Sequence, residues 1–378
     1  LEVDEMIPAA KPFTGVVVGE VLTVEQHPDA DRLRVTTVNI GTAETLQIVC
    51  GAPNVRVGMK APVATIGAVL PGDFKIKKGK LRGIESQGML CGASEIDLED
   101  KIDGLLELPN DAPVGINIRE YLNLDDHVID ISITPNRGDC FSIRGIAREI
   151  AVINQLAVTE PVITAVAATV SDEKKVVVDT DACPRYLGRV IKNVNTKAAT
   201  PAWMEQALAR SGMRQHSILV DITNYVLIEL GQPLHAFDGA KVQGAVHVRQ
   251  ATAAEKLVLL NEQEVELQDN VMVIADDEKA LAMAGIMGGL SSSVTDETTE
   301  IFLESAFFAP LAIAGRARRY GLHTDASQRY ERGVDFELPI IAMNRASQLI
   351  AELAGGEFGP ITVAEKPELL PAREAIEL

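Results

Sequence analysis

The chain has 378 residues, enough for roughly two or three domains, and 47% of them are hydrophobic. Its formal net charge of -19 argues against a generally basic, nucleic-acid-coating surface, although one local basic patch could still contact RNA. The four cysteines lie far apart, without a Cys-x-x-Cys pair, and no apolar run approaches the roughly 20 residues of a membrane span. We therefore expect a cytoplasmic protein with reduced thiols and no membrane partner.

Short β-branched runs fill residues 15–108 and are separated by Gly, Pro, Asn and Asp. The predicted strands include residues 16–18, 33–38, 46–50 and 61–69. Short strands at this spacing are typical of a small barrel or a sandwich, and a five-stranded oligonucleotide-binding barrel fits the length. Periodicity alone leaves the choice between them open.

Two polar segments in this region are candidates for RNA contact. The basic segment, residues 75–82, has five cations, at Lys75, Lys77, Lys78, Lys80 and Arg82. Cations on a turn between strands can follow a phosphate backbone, but a solvated hairpin tip explains them equally well. The second segment, residues 27–33, begins at His27 and holds a proline and two aspartates, which by themselves indicate a structural turn.

The pattern changes after residue 128. Ile129, Ile131 and Ile133 alternate as in a strand, and apolar residues at spacings of three and four predict a helix from about Ser142 to residue 156. The low-complexity stretch 161–170 indicates a linker.

Helices and strands are mixed from Val176 onward. We expect helices over residues 200–212, about 223–230 and about 338–353. We expect strands over residues 246–248, 257–260, 265–267, 271–274 and 301–307. Runs of strands with helices at their flanks indicate an α+β domain.

Five places in this half could carry chemistry, and four of them lie outside the strand 301–307. Thr223 and Asn224 could present hydroxyl, amide and backbone donors at a helix start. His235 lies in a Gly/Pro-bounded loop, where a structural histidine is the common alternative. The glycines of residues 285–289 would let a ligand approach the backbone, unless they only form a tight turn. Residues 321–333 suit either a pocket rim or a capped helix start.

Glu304 should lie within the strand 301–307, on the same face as Phe302 and Ala306. Both faces of this strand are mostly apolar, so we expect a buried carboxylate, which is costly unless it accepts a hydrogen bond. The structural alternative is an ion pair with Arg316, Arg318 or Arg319.

Together these motifs resemble a known family. Residues 13–108 resemble the tRNA-binding barrel shared by several aminoacyl-tRNA synthetases and associated factors, with matching runs at 27–33, 48–54 and 83–91. The bacterial-type phenylalanyl-tRNA synthetase beta subunit has segments similar to residues 133–140, 223–225, 231–238, 285–289 and 323–327. The resemblance covers essentially the whole chain. Because the chain begins at Leu1 and stops abruptly at Leu378, we expect both ends to be boundaries within a longer protein.

The resemblance implies a multidomain α+β fold. A small all-β oligonucleotide-binding barrel would be inserted in a small α/β module and followed by a larger mixed α+β editing domain. The implied boundaries are 1–12 plus 119–165 for the α/β module, 13–118 for the barrel, 166–370 for the editing domain of B3/B4 type, and 371–378 for the start of a linker to further C-terminal domains.

In this family the beta subunit binds tRNA(Phe) and hydrolyses misacylated Tyr-tRNA(Phe). Synthesis of Phe-tRNA(Phe), which uses ATP and Mg²⁺, takes place on the alpha subunit of an alpha2beta2 heterotetramer. The resemblance therefore implies an ester hydrolase with tRNA(Phe) and the alpha subunit as partners, no DNA partner, and no cofactor or metal in this chain. The alternatives are a non-catalytic tRNA-binding scaffold and a metal hydrolase built from His235, Asp238, His323 and Asp325.

The resemblance also implies roles for single residues. Glu304 would accept the phenol hydrogen bond of tyrosine, and Gly288 and Ala326 would shape the amino-acid pocket. The residues implied to hold the ester or position the attacking water are His235, Thr223, Asn224 and Thr324. Arg214 would contact the tRNA end. The tRNA-binding residues of the barrel would be His27, Lys75, Lys77, Lys78, Lys80 and Arg82.

Overall fold

The computed structural model describes residues 1–98 and 104–372. The chain divides into two compact units, one of residues 3–131 and the other of residues 1–2 with 132–378. Most of the linker expected at 371–378, namely residues 373–378, lies outside the described residues. In the described part of the chain, no helix has the length and apolarity needed to cross a bilayer.

The first unit is built mainly from strands. Its elements are β1 (Glu2–Pro8), β2 (Thr14–Gln26), β3 (Arg34–Asn39), β4 (Leu46–Cys50), β5 (Lys60–Leu70), β6 (Phe74–Lys75), β7 (Gly79–Leu81), β8 (Ile84–Ser86), β9 (Gly88–Leu90), α1 (Ile118–Tyr121) and β10 (His127–Ser132). The strands predicted at 16–18, 33–38, 46–50 and 61–69 are confirmed by β2 to β5. Strand β1 pairs with β10.

The main sheet of this unit is nearly closed into a barrel. Its order is β4-β3-β2-β5-β6, and β9 also pairs with β5. The segment that leads into β9 also contacts β4, the strand at the opposite edge of the sheet. The backbone N–H of Gln87 donates to the Gln47 carbonyl there at 2.8 Å. Alternate residues such as Val16 and Val18 point into an almost wholly aliphatic core. The expectation of a small barrel is therefore confirmed.

The second unit mixes strands and helices, as expected. Its strands are β11 (Val176–Val178), β12 (Arg185–Lys192), β13 (Leu234–Asp238), β14 (Val246–Gln250), β15 (Lys256–Val258), β16 (Glu264–Glu266), β17 (Met272–Ala275), β18 (Ala280–Met283), β19 (Met287–Gly288), β20 (Glu300–Phe307) and β21 (Glu357–Glu365). Its helices are α2 (Ile143–Asn154), α3 (Ala202–Arg210), α4 (Ile218–Leu230), α5 (Pro310–Ile313), α6 (Arg316–Arg319), α7 (Asp325–Arg332) and α8 (Leu338–Leu353).

Strand β20 lies inside a four-stranded antiparallel sheet of order β13-β20-β12-β21. Its residues Ile301 and Leu303 join a core with helices α3, α4 and α8. Phe302 and Ala306 point the other way, into a second core shared with the five-stranded sheet β11-β14-β17-β18-β19. The predicted alternation is confirmed, and it places Glu304 on the face that meets the second sheet.

The helix predicted at 223–230 begins earlier than its sequence pattern indicated. Helix α4 starts at Ile218, because Ile218, Leu219 and Ile222 continue its buried stripe by another turn. Thr223 and Asn224 therefore lie mid-helix, and the Thr223 hydroxyl donates to the Val220 carbonyl at 2.8 Å. The prediction that they offer backbone donors at a helix start is wrong.

Candidate active site

A small cavity of about 80 Å³ lies where the four-stranded and the five-stranded sheets of the second unit meet helix α7. Its lining includes His235 from β13, Gly288 from β19, Glu304 from β20, and Ala326 and Tyr330 from α7. Four of the eight residues expected to act in editing are thus brought together. They come from parts of the chain that are up to 91 residues apart, from 235 to 326.

Glu304 is the acidic residue that lines this cavity, and only 7% of the residue's surface is exposed. The hydroxyl of Tyr186 donates to Glu304 Oε2 at 2.7 Å. Burial raises the pKa of Glu304 to about 7, while the hydrogen bond from Tyr186 lowers that pKa. A carboxyl group in this state changes charge near neutral pH.

The arginines proposed as ion-pair partners of Glu304 have other contacts. Arg318 lies 3.8 Å from Glu331. Arg316 donates to the Asn270 carbonyl and Arg319 to the side chain of Gln268, both in the loop between β16 and β17. The ion-pair alternative is therefore wrong, and the Tyr186 phenol, not a cation, contacts the carboxylate.

His235 faces Glu304 directly across the β13–β20 pairing, so both side chains lie on the same face of the sheet. Burial lowers the pKa of His235 to about 4, and the imidazole is neutral at physiological pH. Its Nε2 atom is buried and makes no hydrogen bond within the described part of the chain. The ring packs edge-on against Phe237, with 4.4 Å between centroids. A neutral ring nitrogen at a cavity wall suits hydrogen bonding to a ligand or water.

Gly288 lies so close to His235 that no side chain fits between them. A Cβ atom at position 288 would lie 2.5 Å from His235 Cε1 and 2.8 Å from Nε2. On the opposite wall, Ala326 and Tyr330 are one helical turn apart and share a face of α7. Small residues at 288 and 326 therefore keep the cavity open.

Thr324 holds the two walls together without lining the cavity. Its hydroxyl accepts from the backbone N–H of Ser327, capping α7, and donates to the Ile286 carbonyl at 2.8 Å. This confirms the capped helix start expected within residues 321–333. It also ties the helix that carries Ala326 to the turn that precedes Gly288.

Three other expected site residues lie outside the cavity lining. Thr223 is buried and Asn224 half-buried on α4, and Arg214 is exposed in the loop before that helix. Sequence reasoning missed Tyr186 and the part played by Tyr330. Tyr186 is distant in sequence, 118 residues from Glu304, so only the β12–β20 pairing reveals its partner.

The residues of the metal-hydrolase alternative have separate partners. Asp238 accepts from the Thr298 hydroxyl at 2.8 Å, and Asp325 pairs with Arg329 at 3.0 Å. His323 is exposed. Within residues 1–98 and 104–372, no three His, Cys, Asp or Glu side chains are grouped so that they could hold a metal ion.

The basic segment of the barrel, residues 75–82, presents all five of its cations to solvent. Lys78 pairs with Glu85 at 2.8 Å. Lys75 and Lys77 line a cleft of about 520 Å³, together with Phe74, whose exposed fraction is 59%. Phe74 also lines a second cleft of about 480 Å³. An exposed ring beside two exposed lysines is a feature that the sequence analysis did not identify.

His27 is buried beneath this segment, with 2% of its surface exposed. Its Nδ1 accepts from the backbone N–H of Asp29 at 3.0 Å, and its Nε2 lies 3.1 Å from the Leu81 carbonyl. The neutral tautomer protonated at Nε2 satisfies both contacts. The structural turn expected at 27–33 is confirmed, and His27 connects it to the basic segment.

Two models of known protein families match separate parts of the chain. A family model described as a putative tRNA binding domain matches residues 16–117, and one described as a B3/4 domain matches residues 182–355. The chain thus combines a tRNA-binding-type barrel with a B3/4 domain.

The relatives narrow this class further. The chain is 80% identical over its whole length to the phenylalanine–tRNA ligase beta subunit of Acinetobacter baylyi and 62% identical to that of Psychrobacter arcticus, and it spans 48% of each. A solved N-terminal fragment of the phenylalanyl-tRNA synthetase beta subunit from Pyrococcus horikoshii matches at 17% identity and a TM-score of 0.35, covering 61% of this chain and 62% of the fragment. The chain belongs to the phenylalanine–tRNA ligase beta-subunit family, and the resemblance seen in its motifs is confirmed.

Proposed function

We propose that this chain removes tyrosine from misacylated Tyr-tRNA(Phe) by hydrolysis of the aminoacyl ester. The observation that carries the proposal is the meeting of Glu304, His235 Nε2 and Gly288 at one cavity. A scaffold that only binds tRNA would not need a buried carboxylate opposite a buried imidazole nitrogen that has no hydrogen-bond partner among the described residues, since both raise the free-energy cost of folding.

Selection of tyrosine would rest on Glu304. A hydrophobic pocket shaped for phenylalanine rejects an added hydroxyl only by roughly a hundredfold. A second pocket can instead require that hydroxyl, because the phenol of tyrosine would donate to the Glu304 carboxylate. Phenylalanine would leave Oε1 of the carboxylate without a donor, although Tyr186 still holds Oε2, at a cost of about 1–3 kcal/mol or more for a charged group.

Hydrolysis would rest on positioning more than on a strong base. An aminoacyl ester is already activated, so a water molecule held near its carbonyl accelerates the reaction substantially. His235 Nε2, neutral and facing the cavity, would orient that water or the ester itself. Its lowered pKa makes it a weak general base at neutral pH. Thr324 would act by fixing the cavity walls, and Thr223, Asn224 and Arg214 would contact the tRNA end.

The test is loss of Tyr-tRNA(Phe) in the presence of this chain, compared with spontaneous deacylation and repeated with a chelator. We expect enzyme-dependent deacylation that the chelator leaves unchanged. Tight tRNA binding without deacylation would favour the scaffold, and loss of activity on chelation would favour a metal hydrolase.

We further propose that the barrel binds tRNA through the basic segment. Lys75, Lys77, Lys78, Lys80 and Arg82 would follow the phosphate backbone, and His27 would hold the segment in place. Phe74 would stack on an unpaired base, since its ring is exposed between two clefts and next to Lys75.

Replacing Phe74 by alanine should weaken tRNA(Phe) binding by about 5- to 100-fold, because base–aromatic stacking contributes about 1–3 kcal/mol. Lys77→Ala should instead reduce the slope of log affinity against log salt by about one. Filter binding over a salt series measures both effects. Val57→Ala is the matched control, because Val57 is 62% exposed and lines neither cleft. Equal losses for Phe74→Ala and Val57→Ala would contradict the stacking role.

The whole protein would assemble further. We propose that it forms an alpha2beta2 heterotetramer in the cytoplasm, in which the alpha subunit makes Phe-tRNA(Phe) with ATP and Mg²⁺. The chain described here would contribute tRNA binding and editing to that complex.

A further inference from the structure

We propose that Tyr186 is a positioning residue of the cavity: its hydroxyl holds Glu304 Oε2, so that Oε1 is presented to the phenol of the substrate. The inference rests on the proposed editing function and deepens it. It concerns how the carboxylate is kept ready to recognise tyrosine.

The fold places Tyr186 for this contact. Tyr186 lies on β12, which pairs with β20 so that Tyr186 is opposite Ala306 and Gly188 is opposite Glu304. Aromatic side chains reach diagonal neighbours across a sheet, and the small Ala306 leaves room for the ring. The ring is fully buried, and its hydroxyl lies 2.7 Å from Oε2.

The hydrogen bond from Tyr186 occupies only one of the two carboxylate oxygens. An ionised carboxyl group has two oxygens and about four acceptor sites, so Oε1 keeps its capacity when Oε2 is taken. Fixing Oε2 also restricts the rotation of the carboxyl group. A substrate phenol then meets an oxygen that is already oriented, which is the advantage of a pre-organised site.

Burial raises the pKa of Glu304, and the contact with Tyr186 opposes that rise. The titratable groups around it are Tyr186 and Cys183 from β12 and the residues just before it, His235 from β13, and Tyr330 from α7. Burial lowers the pKa of His235 and raises the pKa values of the two tyrosines and the thiol, so all four are neutral at pH 7. The donor that favours ionised Glu304 is therefore the Tyr186 hydroxyl, which lowers the pKa of the carboxyl group.

The discriminating experiment is the pH dependence of the ratio of Tyr-tRNA(Phe) to Phe-tRNA(Phe) deacylation rates, each corrected for spontaneous hydrolysis. In the unsubstituted chain the ratio should rise with pH through a midpoint near 7, as Glu304 ionises. An ionised carboxylate penalises phenylalanine more than a neutral carboxyl group does, because an unpaired charge costs more to bury. Tyr186→Phe should move the midpoint upward by about one pH unit, which lowers the ionised fraction of Glu304 at pH 7, and with it the ratio, by about fivefold.

Tyr330→Phe is the matched control. It removes a buried hydroxyl from the same cavity, but that hydroxyl is bonded to the Pro233 and Ala306 carbonyls and not to Glu304. Tyr330→Phe can change the two deacylation rates, but the pH midpoint of their ratio should stay near 7. If thermal melting shows that Tyr186→Phe does not fold, the chain with 3-fluorotyrosine incorporated at position 186 is measured instead. Its hydroxyl is a stronger hydrogen-bond donor, so the midpoint of the ratio should move to a lower pH.

The outcomes separate the two proposals. Absence of Tyr-tRNA(Phe) hydrolysis in the unsubstituted chain and in the full heterotetramer would overturn the proposed function itself. Selective hydrolysis with an unchanged midpoint in the Tyr186 variant would overturn only the positioning role. A shift of similar size in Tyr330→Phe would also overturn it, since any lost hydroxyl would then have the same effect.

Discussion

Gly288→Trp is expected to lower Tyr-tRNA(Phe) deacylation by about 100-fold or more, because displacing reacting groups by even 1 Å can cost that much. The physical reason is space: a Cβ atom alone would lie 2.5 Å from the His235 ring, and the cavity is only about 80 Å³. An indole would fill the cavity and displace the imidazole. Gly288→Ala should give a smaller loss, since one methyl group can be relieved by a shift of the ring. Single-turnover deacylation measures the series.

Leu311→Trp provides the control for a large added side chain. Leu311 lies on α5 in the same unit, is 86% exposed and does not line the cavity. Its variant should keep full activity and thermal stability. Retained hydrolysis in Gly288→Trp, with folding intact, would place the reaction somewhere other than this cavity.

Glu304→Gln should lower the ratio of Tyr-tRNA(Phe) to Phe-tRNA(Phe) hydrolysis by roughly ten- to a hundredfold, since a hydrogen bond to a charged group contributes about 1.5–3 kcal/mol. Glutamine keeps the shape of the side chain and an oxygen that can accept from Tyr186. The ratio should therefore fall for two reasons: Phe-tRNA(Phe) is hydrolysed faster, and Tyr-tRNA(Phe) is hydrolysed more slowly. An unchanged ratio would contradict the recognition of the phenol by Glu304.

The same substitution has a predictable effect on folding. Burial raises the pKa of Glu304 from its ordinary 4.5 to about 7, so the folded chain holds a proton there that the unfolded chain has released. Its contribution to the free energy of unfolding is fully present below pH 4.5 and is lost as the pH rises towards 7. Glu304→Gln should remove this part of the pH dependence, and thermal melting across that range detects it.

Local periodicity predicted several elements of this fold accurately. Helix α8 has both of its predicted ends, and β20 has the predicted alternation with Glu304 on the Phe302 face. Helix α4 was predicted too short, because Thr223 and Asn224 carry helix-start chemistry although the apolar stripe starts at Ile218. At that point burial of the stripe decides the boundary, and local hydrogen-bonding preference does not.

The arrangement of the site was harder to predict from the sequence than the helices and strands were. The residues His235, Gly288, Glu304 and Ala326 could be named from motifs, but their meeting at one cavity depends on pairings between strands far apart in the chain. Tyr186 carries no motif at all, because its role comes from its place diagonal to Glu304 on a neighbouring strand. Phe74 was missed for a simpler reason: an aromatic residue in a strand is usually taken as a core residue until its exposure is known.

The most direct test of the proposed site compares single-turnover deacylation of Tyr-tRNA(Phe) and Phe-tRNA(Phe) by this chain at pH 8, where Glu304 is mostly ionised given its pKa of about 7. We expect tyrosine to be released at least about tenfold faster than phenylalanine, because phenylalanine leaves one oxygen of the charged carboxylate without a donor. Equal rates for the two substrates would contradict the claim that the Glu304 cavity selects tyrosine.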